Sequence, residues 1–393
     1  MKTTSHLFIG LLLLTGCSHR PQVNPNEFLI EGYISNLPDS SIIQLHKPDG
    51  SLLKVVTSDT VINGHFTLRD TLSITSEYAI IGRGSQFPST WVDLWVAPGS
   101  YTRISGQGTN IKTWEYDSEV VEQQYENALL DATRTDWETL GSDQIKVNQW
   151  FDLMDQNRGN DSIRRLARTK IDSIRRQSDP IQDEVIVKEM EVLSQMPVSS
   201  WWLGKLKDYI PVLQFDPEHP VVPYLLKEVE RLSDADKQTP SGKMIMNYVN
   251  LPKAVEIGDE MADADLYDVD GQLHRLAELK GKYILLDFWS RGCGPCVASI
   301  PEMEEIAQLY ASRLVVVSIS EDGESSWKEF IRKKNMKGLQ WNQLGKSNPI
   351  LKLAYRISGI PGYVLISPEG KVIDKWSGYG KNSLKNKLKS LLP

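Results

Sequence analysis

Two cysteines stand two residues apart in the stretch Asp287-Phe288-Trp289-Ser290-Arg291-Gly292-Cys293-Gly294-Pro295-Cys296, after an apolar run and before a segment of helical pattern. A working dithiol needs one sulfur held as a thiolate near neutral pH and a second within bonding reach, and this spacing at a helix start meets both needs. Cys293 is expected at the helix N-terminus, where free N–H groups and the macrodipole favour negative charge and draw a thiol below its free pKa of about 8.5. Cys293 is then the nucleophile, and Cys296, one turn on and facing inward, the resolving thiol. A structural zinc site would want four ligands, but the chain has 3 cysteines, and His274 is the one histidine of this C-terminal unit. Covalent haem attachment needs a histidine where Val297 stands. A pair of inert core thiols is disfavoured because Gly294-Pro295 begins a helix that cysteine packing alone does not require.

The elements that must hold this pair read as an alternation of strand and helix. Tyr283 to Trp289 is a continuous apolar run of buried-strand type, and a helix follows from Cys293 to Ala311. Then come a strand at "LVVVSIS", a helix at "SSWKEFIRKKN", strands at "YVLISPEG" and "KVIDKWSG", and a last helix near "NSLKNKLKSLL". That order predicts a mixed α/β sheet with helices on both faces over residues 255–393.

Upstream, short apolar runs broken by Pro48-Asp49-Gly50, Asn63-Gly64 and Pro98-Gly99 predict a small antiparallel β-domain over residues 27–108. His46 and His65 lie there without a second ligand at metal spacing, so surface or hairpin positions are expected. Over residues 112–248 the period changes to that of amphipathic helices, with Trp201-Trp202 expected in the core. The chain of 393 residues is therefore multidomain: β-domain, helical middle segment, C-terminal α/β unit. A formal net charge of -7 argues against nucleic acid as a partner, and the arginines between Arg164 and Arg176 alternate with acidic and apolar residues as on a solvated helix face.

The N-terminus reads as a targeting segment. Lys2 precedes an apolar run from Leu7 to Leu14 that is too short for a membrane span, and Leu14-Thr15-Gly16-Cys17 resembles a bacterial lipobox. The resemblance implies that residues 1–16 are a lipoprotein signal peptide, that Cys17 is lipidated and that 17–26 is a tether; the alternative is an ordinary cleaved signal peptide with Cys17 near the cut. With Cys17 so used, Cys293 and Cys296 are the remaining thiols, a functional couple or nothing in an oxidising compartment.

Taken together, Asp287-Phe288-Trp289, Cys293-Gly294-Pro295-Cys296, Pro301 and Ile360-Pro361 resemble the TlpA-like disulfide oxidoreductases of the thioredoxin fold. The β-domain likewise resembles the one that often precedes such domains in bacterial lipoproteins. The resemblance implies a redox-active disulfide between Cys293 and Cys296, with Trp289, Gly294, Pro295 and Ile360 flanking the site. Asp287 would be the buried carboxylate that takes the proton of Cys296 through water, and Pro361 the cis-proline facing the dithiol. A carboxylate in "ILLDFW" is costly to bury, so its pKa should rise into the range of a general base. Departures are Gly292 in place of a second tryptophan and Gly362 after the proline, both expected to open the rim, and Ser299, which weakens the case for apocytochrome as substrate. Arg291 is expected as an exposed, mostly screened charge.

The resulting expectation is a protein-disulfide reductase tethered in the cell envelope, facing the periplasm, with the outer membrane favoured. The Gly-Pro dipeptide is that of thioredoxin, at about -270 mV, which leans towards reduction. Disulfides of exported proteins are the expected substrates and a membrane thiol relay the electron donor. No cofactor beyond the dithiol is expected, because nothing in the sequence supplies a flavin or nicotinamide site. A thiol peroxidase of the same fold and a binding lipoprotein with a redox-sensing dithiol are the alternatives. The first lacks its Pro-x-x-x-Thr-x-x-Cys loop; the second would give the leading domains the main role.

Overall fold

The computed structural model describes residues 20–49, 52–251, 253–343 and 350–392, so the expected lipidation site Cys17 lies outside the described residues. The N-terminal body holds β1 Glu27–Ser35, β2 Ile42–Asp49, β3 Leu52–Thr60, β4 His65–Thr71, β5 Ser76–Arg83, β6 Val92–Val96, β7 Tyr101–Gln107 and β8 Glu115–Ser118. They form two four-stranded sheets, β4-β1-β7-β8 and β3-β2-β5-β6. Alternate residues of β1, β4 and β6 point inward, so Phe28 and Ile30, Phe66 and Leu68, and Leu94 and Val96 enter one core with Trp114.

Three expectations change here. The body is antiparallel except where β1 and β7 run parallel, with Leu29 beside Tyr101. It also passes the expected limit at residue 108, because β8 pairs with β7 and places Tyr116 opposite Ile104; "EYDS" carries one apolar side chain, too few to show an alternating pattern. His46 is buried rather than superficial, its ring contacting Gln44 Oε1 at 3.1 Å.

Two long helices follow, α1 Val121–Gln156 and α2 Asp161–Ser194, packed along each other. The turn between them ends at Asn160, whose side chain accepts the N–H groups of Ser162 and Ile163 and so satisfies donors of the first turn of α2. Five shorter helices complete the middle body: α3 Ser200–Tyr209, α4 Val212–Phe215, α5 Val222–Val229, α6 Asp234–Gln238 and α7 Pro240–Val249. Trp201 and Trp202 are core residues, as the sequence suggests.

A buried ionic cluster joins these two bodies. Lys205 on α3 reaches Asp93 of β6 at 2.6 Å and Glu126 of α1 at 2.7 Å, and Trp201 Nε1 donates to the same Glu126 at 2.8 Å. Burial pushes Glu126 up to about 7 against the pull of Lys205.

The C-terminal sheet runs β10-β9-β13-β12-β11-β14-β15. Its strands are β9 Leu266–Tyr267, β10 Leu273–His274, β11 Tyr283–Trp289, β12 Leu314–Ser320, β13 Leu339–Asn342, β14 Gly362–Ile366 and β15 Val372–Ser377. Strand β11 is interior, parallel to β12 and antiparallel to β14. Its side chains serve two cores: Ile284, Leu286 and Phe288 face one side with α10 Ile350–Ala354, and Leu285 faces the other with α8 Gly294–Leu309 and α11 Ser383–Leu391. Helix α9, Glu324–Lys334, lies between β12 and β13 in the chain. This body is not loosely strung to the helices, since Leu353 of α10 enters the helical core and Val255 N–H donates to Ala354 O at 2.9 Å.

Removing Lys205 would take away the cation paired with Asp93 and Glu126 and leave beside them the more weakly coupled charge of Lys112. Lys205→Ala is therefore expected to lose about 3–5 kcal/mol at pH 8, read as a lowered urea midpoint with early exposure of Trp201 fluorescence. An unchanged midpoint would show that the cluster does not couple the bodies.

Candidate active site

The site forms where β11 ends and α8 begins. Every residue from Ile284 to Ser290 is buried, so the strand delivers the following loop from a rigid base. Cys293 is the N-cap of α8 in an extended conformation, and its Sγ accepts the backbone N–H of Cys296 at 3.2 Å. Pro295 stands in the first turn, where its missing N–H costs no helical bond and its fixed φ suits the helix. Cys293 and Cys296 are joined by a disulfide with a Cα–Cα distance of 5.2 Å. The two sulfurs are not equivalent: Cys293 is half-buried, whereas Cys296 is 1% exposed. Across from them the Ile360-Pro361 bond is cis, and the carbonyl oxygen of Ile360 lies 3.5 Å from Cys293 Sγ.

The wall behind the disulfide is aromatic. Trp289, Cys296, Trp327 and Ile331 form one buried cluster, with Cys293, Phe330, Met336 and Ile360 packed against it. Trp289 and Phe330 meet at 5.6 Å between ring centroids. Trp327 and Phe330 come from α9, whose apolar face was visible in "SSWKEFIRKK" but carried no sign that it faced the cysteines.

Asp287 lies on the same face of β11 as Leu285 and Trp289, beneath α8. It is 6% exposed, accepts the Ser318 hydroxyl at 3.1 Å through Oδ2, and leaves Oδ1 without a hydrogen-bond partner among the described residues. Desolvation pushes its carboxyl up to about 7, opposed in part by the bond from Ser318. Tyr363 on β14 stands opposite Asp287 in the ladder and is fully buried.

A second buried carboxylate, unmarked by any local residue pattern, holds the loop. Asp322 Oδ2 accepts the backbone N–H of Arg291 at 2.7 Å and Oδ1 the Ser290 hydroxyl at 3.3 Å. Ser290 Oγ in turn accepts the N–H of Gly292 at 3.1 Å, and the Cys293 N–H donates to Ser290 O at 3.1 Å. Each residue before the nucleophile candidate is thereby tied to the end of β12. Arg291 is consequently not the exposed charge expected: its side chain is 11% exposed, with Nε 4.0 Å from Asp322. Gly292 and Gly294 are exposed beside Cys293, as an open rim requires, but Gly362 does not contribute to it. A Cβ at Gly362 would meet Ile357 Cγ2 at 2.5 Å and Gly359 O at 3.0 Å, so close packing against these neighbours sets that residue. Among the described residues no group of three or more His, Cys, Asp or Glu is placed to hold a metal.

Residues 257–375 match the AhpC/TSA family. The thiol-disulfide oxidoreductase ResA of Bacillus cereus is 28% identical over 153 residues, covering 38% of this chain and 87% of that protein. ResA of Geobacillus thermodenitrificans is 29% identical over 155 residues, 37% of this chain and 84% of that protein. Among solved structures, the thioredoxin domain of a thiol-disulfide oxidoreductase from Bacteroides vulgatus is 25% identical, with TM-score 0.32, over 35% of this chain and 99% of that one. The C-terminal unit of this chain is an AhpC/TSA-family domain of thioredoxin fold, of the thiol-disulfide oxidoreductase type.

Proposed function

We propose that the chain reduces disulfides of exported proteins by exchange at Cys293 and Cys296. The observation that carries this reading is the asymmetry of the pair: one half-buried sulfur capping a helix N-terminus, and one buried sulfur a turn behind it. In the dithiol form the α8 N-terminus and the Cys296 N–H favour a thiolate at Cys293. That thiolate attacks a substrate disulfide; the substrate S–S bond breaks, one substrate thiolate leaves, and a mixed disulfide remains on Cys293. Asp287 takes the proton of the Cys296 thiol, and the Cys296 thiolate attacks Cys293 Sγ. The second substrate thiolate leaves and the internal disulfide closes. Two electrons have passed to the substrate, and an external dithiol, here a membrane thiol relay, must return them. No other cofactor enters.

The exposed glycines at 292 and 294 leave room for an extended polypeptide lying across the sulfur. Lipidation at Cys17 would hold the chain at the envelope on the periplasmic side, with the outer membrane preferred because Ser18 follows Cys17. No helix among the described residues is long and apolar enough to cross a membrane.

Cys296→Ser should accumulate mixed disulfides on Cys293 that can be recovered from the envelope and identified. Absence of trapped species, together with normal reduction of a model disulfide by the double cysteine variant, would sink the reading.

Asp287 makes a prediction of its own. Its folded-state carboxyl titrates near 7 and its ordinary value is 3.8, so between those pH values the folded chain keeps a proton that the unfolded chain has released. Stability from this group is therefore full below about pH 4, declines as pH rises to about 7, and stays lost above, by at most about 4 kcal/mol. Asp287→Asn should raise the thermal midpoint at pH 8 and leave it little changed at pH 4. The same substitution should slow release of the mixed disulfide at pH 7 by on the order of tenfold or more. An unaltered release rate and pH profile would remove Asp287 from the mechanism.

A further inference from the structure

The far end of the α1-α2 hairpin carries charge that the fold does not use. Between Arg158 and Arg176 stand seven basic residues against Asp161 and Asp172, in a chain whose formal net charge is -7. Arg165, Arg168, Asp172 and Arg176 follow at i, i+3, i+7 and i+11, on a face of α2 distinct from its buried Ala167, Ile171 and Ser178, and all four are exposed. Arg165 reaches the Ser162 hydroxyl at 3.3 Å, while Arg168 and Arg176 have no carboxylate partner among the described residues. Helix stability does not explain them. Arg164 and Arg165 lie in the opening turns of α2, the end at which the macrodipole disfavours cations.

Apolar side chains at this end are likewise uncovered. Phe151 of α1 is 45% exposed, with the Arg175 guanidinium 5.9 Å from its ring centre. Phe151 and Met154 line an open hollow of about 420 Å³ whose other walls are Asp155, Arg158 and Arg164. Nearer the base the hairpin is held, since Asn148 donates to Phe87 O at 2.8 Å and accepts from the Ser89 hydroxyl at 2.8 Å. The tip projects beyond that hold.

An arginine face beside an exposed aromatic ring suits a surface that offers phosphates in a plane and hydrocarbon beneath it. The start of the chain shows why such a surface is within reach. Arg20 pairs with Asp117 at 3.0 Å and Glu119 at 2.6 Å, just before α1, so the N-terminal segment leaves at the base of the hairpin. A lipid on Cys17 would put a bilayer within about 10 Å of that base, the most that three residues can span. With 36 residues α1 is about 54 Å long, so the tip meets the same bilayer when the hairpin lies along it.

We propose that the tip of the α1-α2 hairpin is a membrane-binding site, in which Arg165, Arg168 and Arg176, beside Phe151, engage the phosphates of an anionic phospholipid surface. The choice of a lipid surface rests on the reading of Cys17 as lipidated. Attachment at both ends of the hairpin restricts rotation of the chain at the bilayer, which a lipid alone leaves free.

The test uses residues 18–393, the mature chain of that reading without its lipidated cysteine, which hold every described element. Vesicles are of phosphatidylethanolamine with phosphatidylglycerol, or of phosphatidylcholine alone. Co-sedimentation with the phosphatidylglycerol vesicles only, lost in about 1 M salt where the screening length is about 3 Å, is the expected result. Arg165→Gln, Arg168→Gln and Arg176→Gln together should weaken that binding on the order of a hundredfold at an unchanged thermal midpoint. Equal binding to both kinds of vesicle, or binding indifferent to salt or to the three substitutions, would overturn the proposal. Binding to soluble heparin with none to vesicles would overturn it as well. If the triple variant does not fold, the salt series decides alone. Mass spectrometry of the wild-type chain from the envelope separates the two levels: Cys17 without lipid defeats the anchor reading, whereas lipidated Cys17 with no vesicle binding by residues 18–393 defeats the tip site alone.

Discussion

The desolvation of one carboxylate constrains the rest of the site. Asp287 is covered by α8, flanked by buried strands and bonded by a single hydroxyl, so its charged form is penalised and it keeps a proton far above the usual carboxylate range. That penalty is tolerable only in a sheet stable enough to carry it, which is why the residues around Asp287 in β11, β12 and β14 are so completely buried. The same burial that makes the group expensive gives it an affinity for protons suited to exchange with a thiol.

The opposite electrostatic condition holds a few residues away. Cys293 stands where the backbone offers unpaired donors, so negative charge is favoured there and disfavoured at Asp287. The short connection between the two environments is not left to chance. Asp322 binds Ser290 and Arg291, and Ser290 binds Gly292 and Cys293, so the helix cap is located by hydrogen bonds from a neighbouring strand end.

Those features differ in how far the sequence revealed them. Local chemistry was legible: a CxxC at a helix start, Gly-Pro in its first turn, and an aspartate inside an apolar run each imply a position from the residue types alone. The alternation of strands and helices around "ILLDFW" gave the central order β11-α8-β12-α9 and the closing hairpin. Contacts between distant elements were not legible. Asp322 stands in "SEDGES", where nothing local marks its partners, Gln340 and Trp341 sit in a strand too short to show a period, and Arg291 is buried where Asp322 meets it. Gly362 misled for the same reason, since its lack of a side chain is explained by Ile357, a neighbour whose packing no local pattern announces. In the leading bodies, the β1-β7 parallel pair and β8 depend on closure of a sheet across many residues, and strand alternation carries no information about which strand lies beside which.

The junction between the helical body and the C-terminal sheet carries a consequence for geometry at larger scale. Leu353 lies in the helical core while Tyr355, two residues on, lies in the core of the sheet, and the linker at Val255 is bonded to the residue between them. The disulfide therefore has a fixed bearing relative to the long α1-α2 hairpin instead of swinging on a flexible arm. The separation between that sulfur and the leading bodies is thereby set by side-chain packing across the junction.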